Sequence, residues 1–156
     1  MDIHLKKDGS AVAKYTLNGN GNYSAMLRRN FMTEGKRKEV LEKSLTRSFG
    51  IIDINSMKFS DMKDMDATPE CTAGFTIKSF LKQNEWTEAC LFKNNIQKYA
   101  IKESREYDII IPMAPMTITE TVVYHLEEGM TASSVPEKIK INHAFADYSL
   151  IPRLKK

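Results

Sequence analysis

Asn18-Gly19-Asn20-Gly21-Asn22-Tyr23-Ser24-Ala25-Met26-Leu27-Arg28-Arg29-Asn30-Phe31, running on through Gly35 to Leu41, Leu45, Phe49 and Gly50-Ile51-Ile52, is the stretch on which the architecture turns. It opens on a glycine-asparagine turn. Leu27 and Phe31 are one helical turn apart, as are Leu41, Leu45 and Phe49, so each set lines one face of a helix. Asn22 or Ser24 can cap the start, and Gly50 suits the left-handed position just past the end. Gly35 is expected to divide the segment in two, because a mid-helix glycine costs about 0.5 to 1 kcal/mol relative to alanine. The spacing thus predicts a helical insert at about 23–49.

On both sides the pattern changes to period two. Ile3 and Leu5 alternate with His4 and Lys6, and Asp8-Gly9 suits a type I′ hairpin turn. The return strand, Ser10 to Leu17, places Ala11, Ala13, Tyr15 and Leu17 on one face. After the insert a strand is expected from Ile51 to Phe59, then a polar loop from Asp61 to Thr68 closed by Pro69. From Cys71, the residues Ala73, Phe75, Ile77, Ser79 and Leu81 share its face. Gln83-Asn84-Glu85 marks a turn before a strand from Trp86 to Phe92.

Ile109 to Ile111 is a short apolar strand stopped by Pro112 and Pro115. A longer strand, Thr117 to Leu126, has Ile118, Val122, Tyr124 and Leu126 on its buried face, and Glu127-Glu128-Gly129 turns the chain. Ile139, Ile141 and the segment Ala144 to Ile151 complete the set. With no repeating βαβ rhythm, the expected class is mainly β (α+β): an antiparallel β-sandwich-like sheet with a helical insert.

A chain of 156 residues lies in the one-domain range and buries roughly 68 to 70% of its unfolded surface when compact. The 42% hydrophobic and 28% charged content argues against disorder, and two cysteines are too few for a disulfide scaffold. The 23 basic and 20 acidic residues are interspersed, leaving a net charge of +3, whereas nucleic-acid binders concentrate a larger basic excess on one face. The longest apolar run, Ile109 to Met116, falls short of the ~20 residues that span a bilayer. Asp2, His4, Lys6 and Lys7 stand where the apolar region of a signal peptide would lie, which suits either a cytosolic protein or an excised domain.

Several residue sets invite chemistry. Cys71 or Cys90 with His125 or His143 and Asp147 follows the chain order of a thiol protease or transglutaminase, but both cysteines fall within alternating strands, where a small apolar side chain is expected. If Gln83 to Glu85 is a hairpin tip, Cys90 lies opposite Lys78 and Cys71 is roughly 23 Å from it at about 3.3 Å per residue. A disulfide requires about 7 Å or less. His4, His125 and His143 fall singly in separate strands and make no metal motif.

Asp61, Asp64 and Asp66, with Glu70, could collect calcium, yet they miss the spacing of a calcium-binding loop and include Lys63. Arg28, Arg29, Lys36, Arg37, Lys38, Lys43 and Arg47 are interrupted by Glu34, Glu39 and Glu42, as on a solvated helix face. Asn18-Gly19-Asn20-Gly21 lacks the spacing and the lysine of a phosphate-cradling loop. No cofactor, metal, catalytic residue or nucleic-acid partner is expected.

Two segments together carry a family resemblance. One is Gly21-Asn22-Tyr23-Ser24-Ala25-Met26-Leu27-Arg28-Arg29, followed by Glu39-Val40-Leu41-Glu42-Lys43 and a glycine before a strand. The other is Arg105-Glu106-Tyr107, leading to Tyr124-His125-Leu126-Glu127-Glu128-Gly129-Met130, Val135-Pro136 and Ala146-Asp147-Tyr148-Ser149. They resemble the C-terminal region of uncharacterised exported bacterial proteins, in which a transglutaminase-like domain lies between β-sandwich domains. Glu128-Gly129 stands where that family usually has a proline-glycine-like turn.

The resemblance implies a C-terminal accessory domain spanning 1–156, whose partner is the upstream transglutaminase-like domain of the same polypeptide, in the periplasm or at the cell surface. In that family the catalytic cysteine, histidine and aspartate belong to the upstream domain, and no segment here matches them. Arg28, Arg29 and Arg105 are candidates for contact with a partner carboxylate or for structural salt bridges. The competing expectation is a self-contained glycan- or peptide-binding module using Trp86, Tyr99 and Tyr107 as an apolar platform.

Overall fold

Both periodicities are realised in the computed structural model, which describes residues 1–81, 117–132, 134–142 and 147–153. Strands β1 (Asp2–Leu5) and β2 (Ala11–Asn18) form an antiparallel hairpin with Ile3 opposite Ala13 and Leu5 opposite Ala11. Its turn departs from the expected type I′ form. The Gly9 N–H donates to the Lys6 carbonyl, and the Lys6 N–H to the Ser10 carbonyl, both at 3.0 Å. Lys7 and Asp8 are therefore the central pair, and Gly9, at φ 82°, is the left-handed residue of a bulged three-residue loop. Asp8 favours this form because its Oδ1 accepts from the Ser10 N–H at 2.9 Å and from the Ser10 hydroxyl at 2.6 Å.

The insert is two helices, α1 (Gly21–Phe31) and α2 (Arg37–Phe49), separated at Gly35 by a 3-10 turn over Glu34–Lys36. Leu27 and Phe31 from α1, and Leu41, Leu45 and Phe49 from α2, are buried. Gly50, at φ 75°, ends α2 with its N–H donating to the Thr46 carbonyl at 2.9 Å. The start differs from expectation. Asn20, rather than Asn22 or Ser24, is the cap residue, and it makes no side-chain cap bond. Its Oδ1 instead accepts from the Thr68 hydroxyl at 3.2 Å, which ties the helix start to a later loop.

Strands β3 (Ile52–Phe59) and β4 (Glu70–Ile77) follow, and β4 pairs antiparallel with both β2 and β3. Hence β2 and β3 run parallel, one strand apart, joined over one sheet face by the helices. One split βαβ unit is present after all; it escapes sequence rhythm because β4, which fills the gap, comes later in the chain. Phe49 meets Phe75 at 5.6 Å between ring centroids, and Phe31 meets Phe59 at 5.2 Å, so both helices pack on the face carrying Ile3, Ala13, Ala73 and Phe75. Burying a side chain of this kind stabilises by about 1.5 to 3 kcal/mol.

The alternation expected to run from Cys71 to Leu81 stops at Ile77. The Phe80 and Leu81 N–H groups both turn to the Gly9 carbonyl, at 2.9 and 3.0 Å, so Phe80 enters the core while Ser79 stays exposed. Of the long strand expected over Thr117 to Leu126, only β5 (Val123–Leu126) is strand, and Ile118 is 43% exposed.

β5 pairs parallel with β1, giving a five-stranded mixed sheet in the order β3-β4-β2-β1-β5. Every other described pairing is antiparallel, including the separate pair β6 (Ile139–Asn142) and β7 (Asp147–Leu150). The fold is mainly β with a helical insert, an α+β arrangement as expected. Parallel pairing was invisible because period two identifies a strand's faces but not its neighbour's direction. The expected strands Trp86–Phe92 and Ile109–Ile111, and the register separating Cys71 from Cys90, lie outside the described residues. No helix among the described residues is long and apolar enough to cross a membrane.

Candidate functional site

Arg28 lies on the inward side of α1, between Leu27 and Phe31, and is only 4% exposed. Its Nη1 donates to the Met62 carbonyl at 2.9 Å, its Nη2 to the Ala67 carbonyl, and its Nε to the Ser24 hydroxyl at 3.4 Å. The guanidinium fork thus grips the loop between β3 and β4 by its backbone. Arg29, its neighbour, is exposed. Arg105, Trp86, Tyr99 and Tyr107 lie outside the described residues.

The same loop contains the acidic cluster. Asp61 Oδ1 accepts from the Lys63 N–H at 2.8 Å, and Asp64 Oδ1 accepts from the Asp66 and Ala67 N–H groups at 3.0 and 3.2 Å. These are local turns in which a carboxylate organises its own backbone. Ser60 and Glu70 close the loop: the Ser60 N–H donates to the Glu70 carbonyl at 2.9 Å, and the Glu70 N–H to the Ser60 hydroxyl at 2.8 Å. Met62 and Pro69 are buried beneath it.

Arg37, one of the basic residues of the insert, links the two helices. Its Nε donates to the Phe31 carbonyl at 2.7 Å, satisfying an end of α1, and its guanidinium lies 5.0 Å from the Phe59 ring centroid. Glu34 Oε1 is 3.8 Å from its Nη1. An open depression of about 500 Å³ on α2 is lined by Glu39, Glu42, Lys43, Thr46 and Arg47, with both signs of charge represented.

Cys71 is 1% exposed on the core face of β4. Burial pushes its thiol up to about 11, with Arg37 pulling the other way and Glu70 adding to the rise. Burial likewise raises the Tyr15 phenol, reinforced by Tyr23, Cys71 and Glu120. Tyr23, half-buried, is raised by the same loss of water. A thiol held protonated in this way is a poor nucleophile.

On the opposite face of the sheet, His4 and His125 sit directly across the β1–β5 pair. Their rings stack with centroids 4.3 Å apart and planes inclined by 9°, and His125 Nε2 is 3.7 Å from Asp2 Oδ1. Spacing in the sequence does not pair these histidines, because their strands are distant in the chain. The available signal was the shared apolar-His-apolar pattern of Ile3-His4-Leu5 and Tyr124-His125-Leu126, which turns both imidazoles outward.

The thiol and the described imidazoles are therefore on different sides of the sheet, and Asp147 is exposed on β7. Cys90 and His143 lie outside the described residues. Among the described residues no group of three His, Cys, Asp or Glu side chains has the arrangement of a metal site. Comparison with protein-family models, with curated proteins and with solved structures found no match to this chain.

Proposed function

We propose that the chain is a non-catalytic accessory domain, β-sandwich-like with a helical insert, that follows a transglutaminase-like domain in an exported bacterial protein and packs against it in the periplasm or at the cell surface. The observation that supports a non-catalytic role is, among the described residues, the division of reactive groups by the sheet: Cys71 is buried toward the helices with its thiol raised to about 11, while His4 and His125 face the other way. The attachment to a transglutaminase-like domain rests on the resemblance of Gly21 to Arg29 and of Tyr124 to Met130 to that family.

Co-expression with the domain encoded upstream, followed by gel filtration, tests the packing. Co-elution is the expected result, and independent elution of two folded species overturns it. Hydrolase or amide-transfer turnover by the purified chain, lost in Cys71→Ala or Cys90→Ala, would end the non-catalytic proposal. A thermal-shift screen against oligosaccharides and peptides separates the accessory role from a free-standing binding module.

A further inference from the structure

The β1–β5 pair joins Val123–Leu126 to the edge of the sheet built by residues 1–81. The Val123 N–H donates to the Met1 carbonyl at 2.9 Å and the Glu127 N–H to the Leu5 carbonyl at 3.2 Å. The Met1 nitrogen donates to the Thr121 carbonyl at 2.6 Å, and the Lys7 N–H to Glu127 Oε2 at 2.7 Å. The pairing is short, covering Asp2 to Leu5, and parallel, the slightly weaker geometry per residue. The stacked imidazoles of His4 and His125 bridge this seam on its exposed side.

We propose that the His4–His125 pair is a proton-sensitive latch on the β1–β5 seam, closed when at most one imidazole is protonated and loosened when both are. Histidine changes charge between about pH 5 and 8. A proton on His125 faces the Asp2 carboxylate at 3.7 Å, which holds β1 and β5 together. A second proton, on His4, puts two like charges on rings 4.3 Å apart.

The outward positions around the pair offer mixed charge. On β1 and just after it these are Asp2 and Lys6, on β2 Lys14 opposite Asp2, and past β5 Glu127, whose carboxylate accepts from the Lys7 backbone N–H. Val12 stands opposite His4 on β2, so that side supplies no anion for the second charge. Repulsion exists only in the doubly protonated state, so the seam loosens as pH falls.

Hydrogen exchange read by mass spectrometry tests the latch, with rates corrected for the intrinsic effect of pH and residues 71–77 as the internal reference. Between pH 7.5 and 5.0, protection of residues 121–127 is expected to fall about tenfold more than that of 71–77. In the double variant His4→Gln/His125→Gln the extra fall should vanish. Should that variant fail to fold, His4→Gln alone, which keeps the His125–Asp2 contact, carries the same expectation. Equal pH responses of the two segments in the unaltered chain, or an extra fall that persists without His4, would overturn the proposal.

Discussion

Arg28 Nη1 donates to the Met62 carbonyl at 2.9 Å, so a charged residue on the first helix anchors a loop that begins only after the third strand. Arg28→Met removes the donors while keeping most of the apolar stem, and leaves the Met62 and Ala67 carbonyls without them. An unsatisfied buried acceptor costs about 1 to 3 kcal/mol, so a loss of about 3 kcal/mol is expected. At about 2 to 4 °C per kcal/mol for a chain of this size, calorimetry should record a Tm lower by about 6 to 12 °C. Arg28→Lys should fall between, because an ammonium lacks the fork that spans two carbonyls. A loss below about 1 kcal/mol for Arg28→Met would show that the loop does not depend on the guanidinium.

Gly19 is held small by Tyr23. A Cβ at position 19 would lie 2.1 Å from Tyr23 Cδ1, so the ring must move to admit even alanine. Gly19→Ala is expected to cost about 1 to 3 kcal/mol, the usual range for overpacking. In a Tyr23→Ala background the same substitution should cost less than about 0.5 kcal/mol. The double-mutant cycle from urea unfolding checks it, and equal penalties in both backgrounds would mean that the glycine is needed for another reason.

Cys71 makes the fold sensitive to alkali. Its thiol is raised from 9.0 to about 11 in the folded state, so its contribution is fully present below pH 9 and is lost as pH rises through 11. At about 1.4 kcal/mol per pH unit, roughly 2 to 3 kcal/mol should disappear over that interval. Cys71→Ala should flatten the slope of stability against pH there, leaving the part that the raised Tyr15 phenol contributes. In a Cys90→Ser background, where Cys71 is the remaining cysteine, a thiol reagent at pH 8 should label the native protein at least tenfold more slowly than the urea-unfolded chain.

Asp8 acts at the other end of the scale. The Ser10 hydroxyl and N–H, both donating to Oδ1, hold its carboxyl below the ordinary 3.8. A folded-state value below the unfolded one means that the hairpin turn gains from Asp8 above pH 3.8 and loses that gain as acid protonates it. An NMR titration should give Asp8 a midpoint below 3.8, and Ser10→Ala should move it upward. A midpoint unchanged by Ser10→Ala would remove the hydroxyl as a cause.

Periodicity made the layers legible. Leu27, Phe31, Leu41, Leu45 and Phe49 all point where their spacing puts them, and Cys71, Ala73, Phe75 and Ile77 line the core. Gly35 and Gly50 marked the breaks because their backbone freedom is a local property. What stayed hidden was long-range. Nothing in Val123 to Leu126 says that its neighbour is β1 or that the two run parallel. Phe80 displaced Ser79 from the expected alternation because Gly9, from the far end of the described sheet segment, captures the chain there.

Of the candidate binding residues, Arg28 could have been recognised as inward-facing. It is one residue from Leu27 and a helical turn before Phe31, within the angular width of the buried stripe. Its charge points the other way, since a buried guanidinium is uncommon without a partner and its partners are carbonyls supplied by the fold. Arg29, one step further round the helix, stays in solvent.

The insertion of β4 between β2 and β3 has a consequence for biosynthesis. When residues 1–59 have left the ribosome, the hairpin, both helices and β3 have all been made, yet β2 and β3 cannot reach each other and the apolar undersides of the helices face a gap one strand wide. Residues 70–77 fill it in one step, bonding on both edges at once. Chains halted before Glu70 should therefore be protease-sensitive along their whole length, and resistance should arrive abruptly rather than strand by strand.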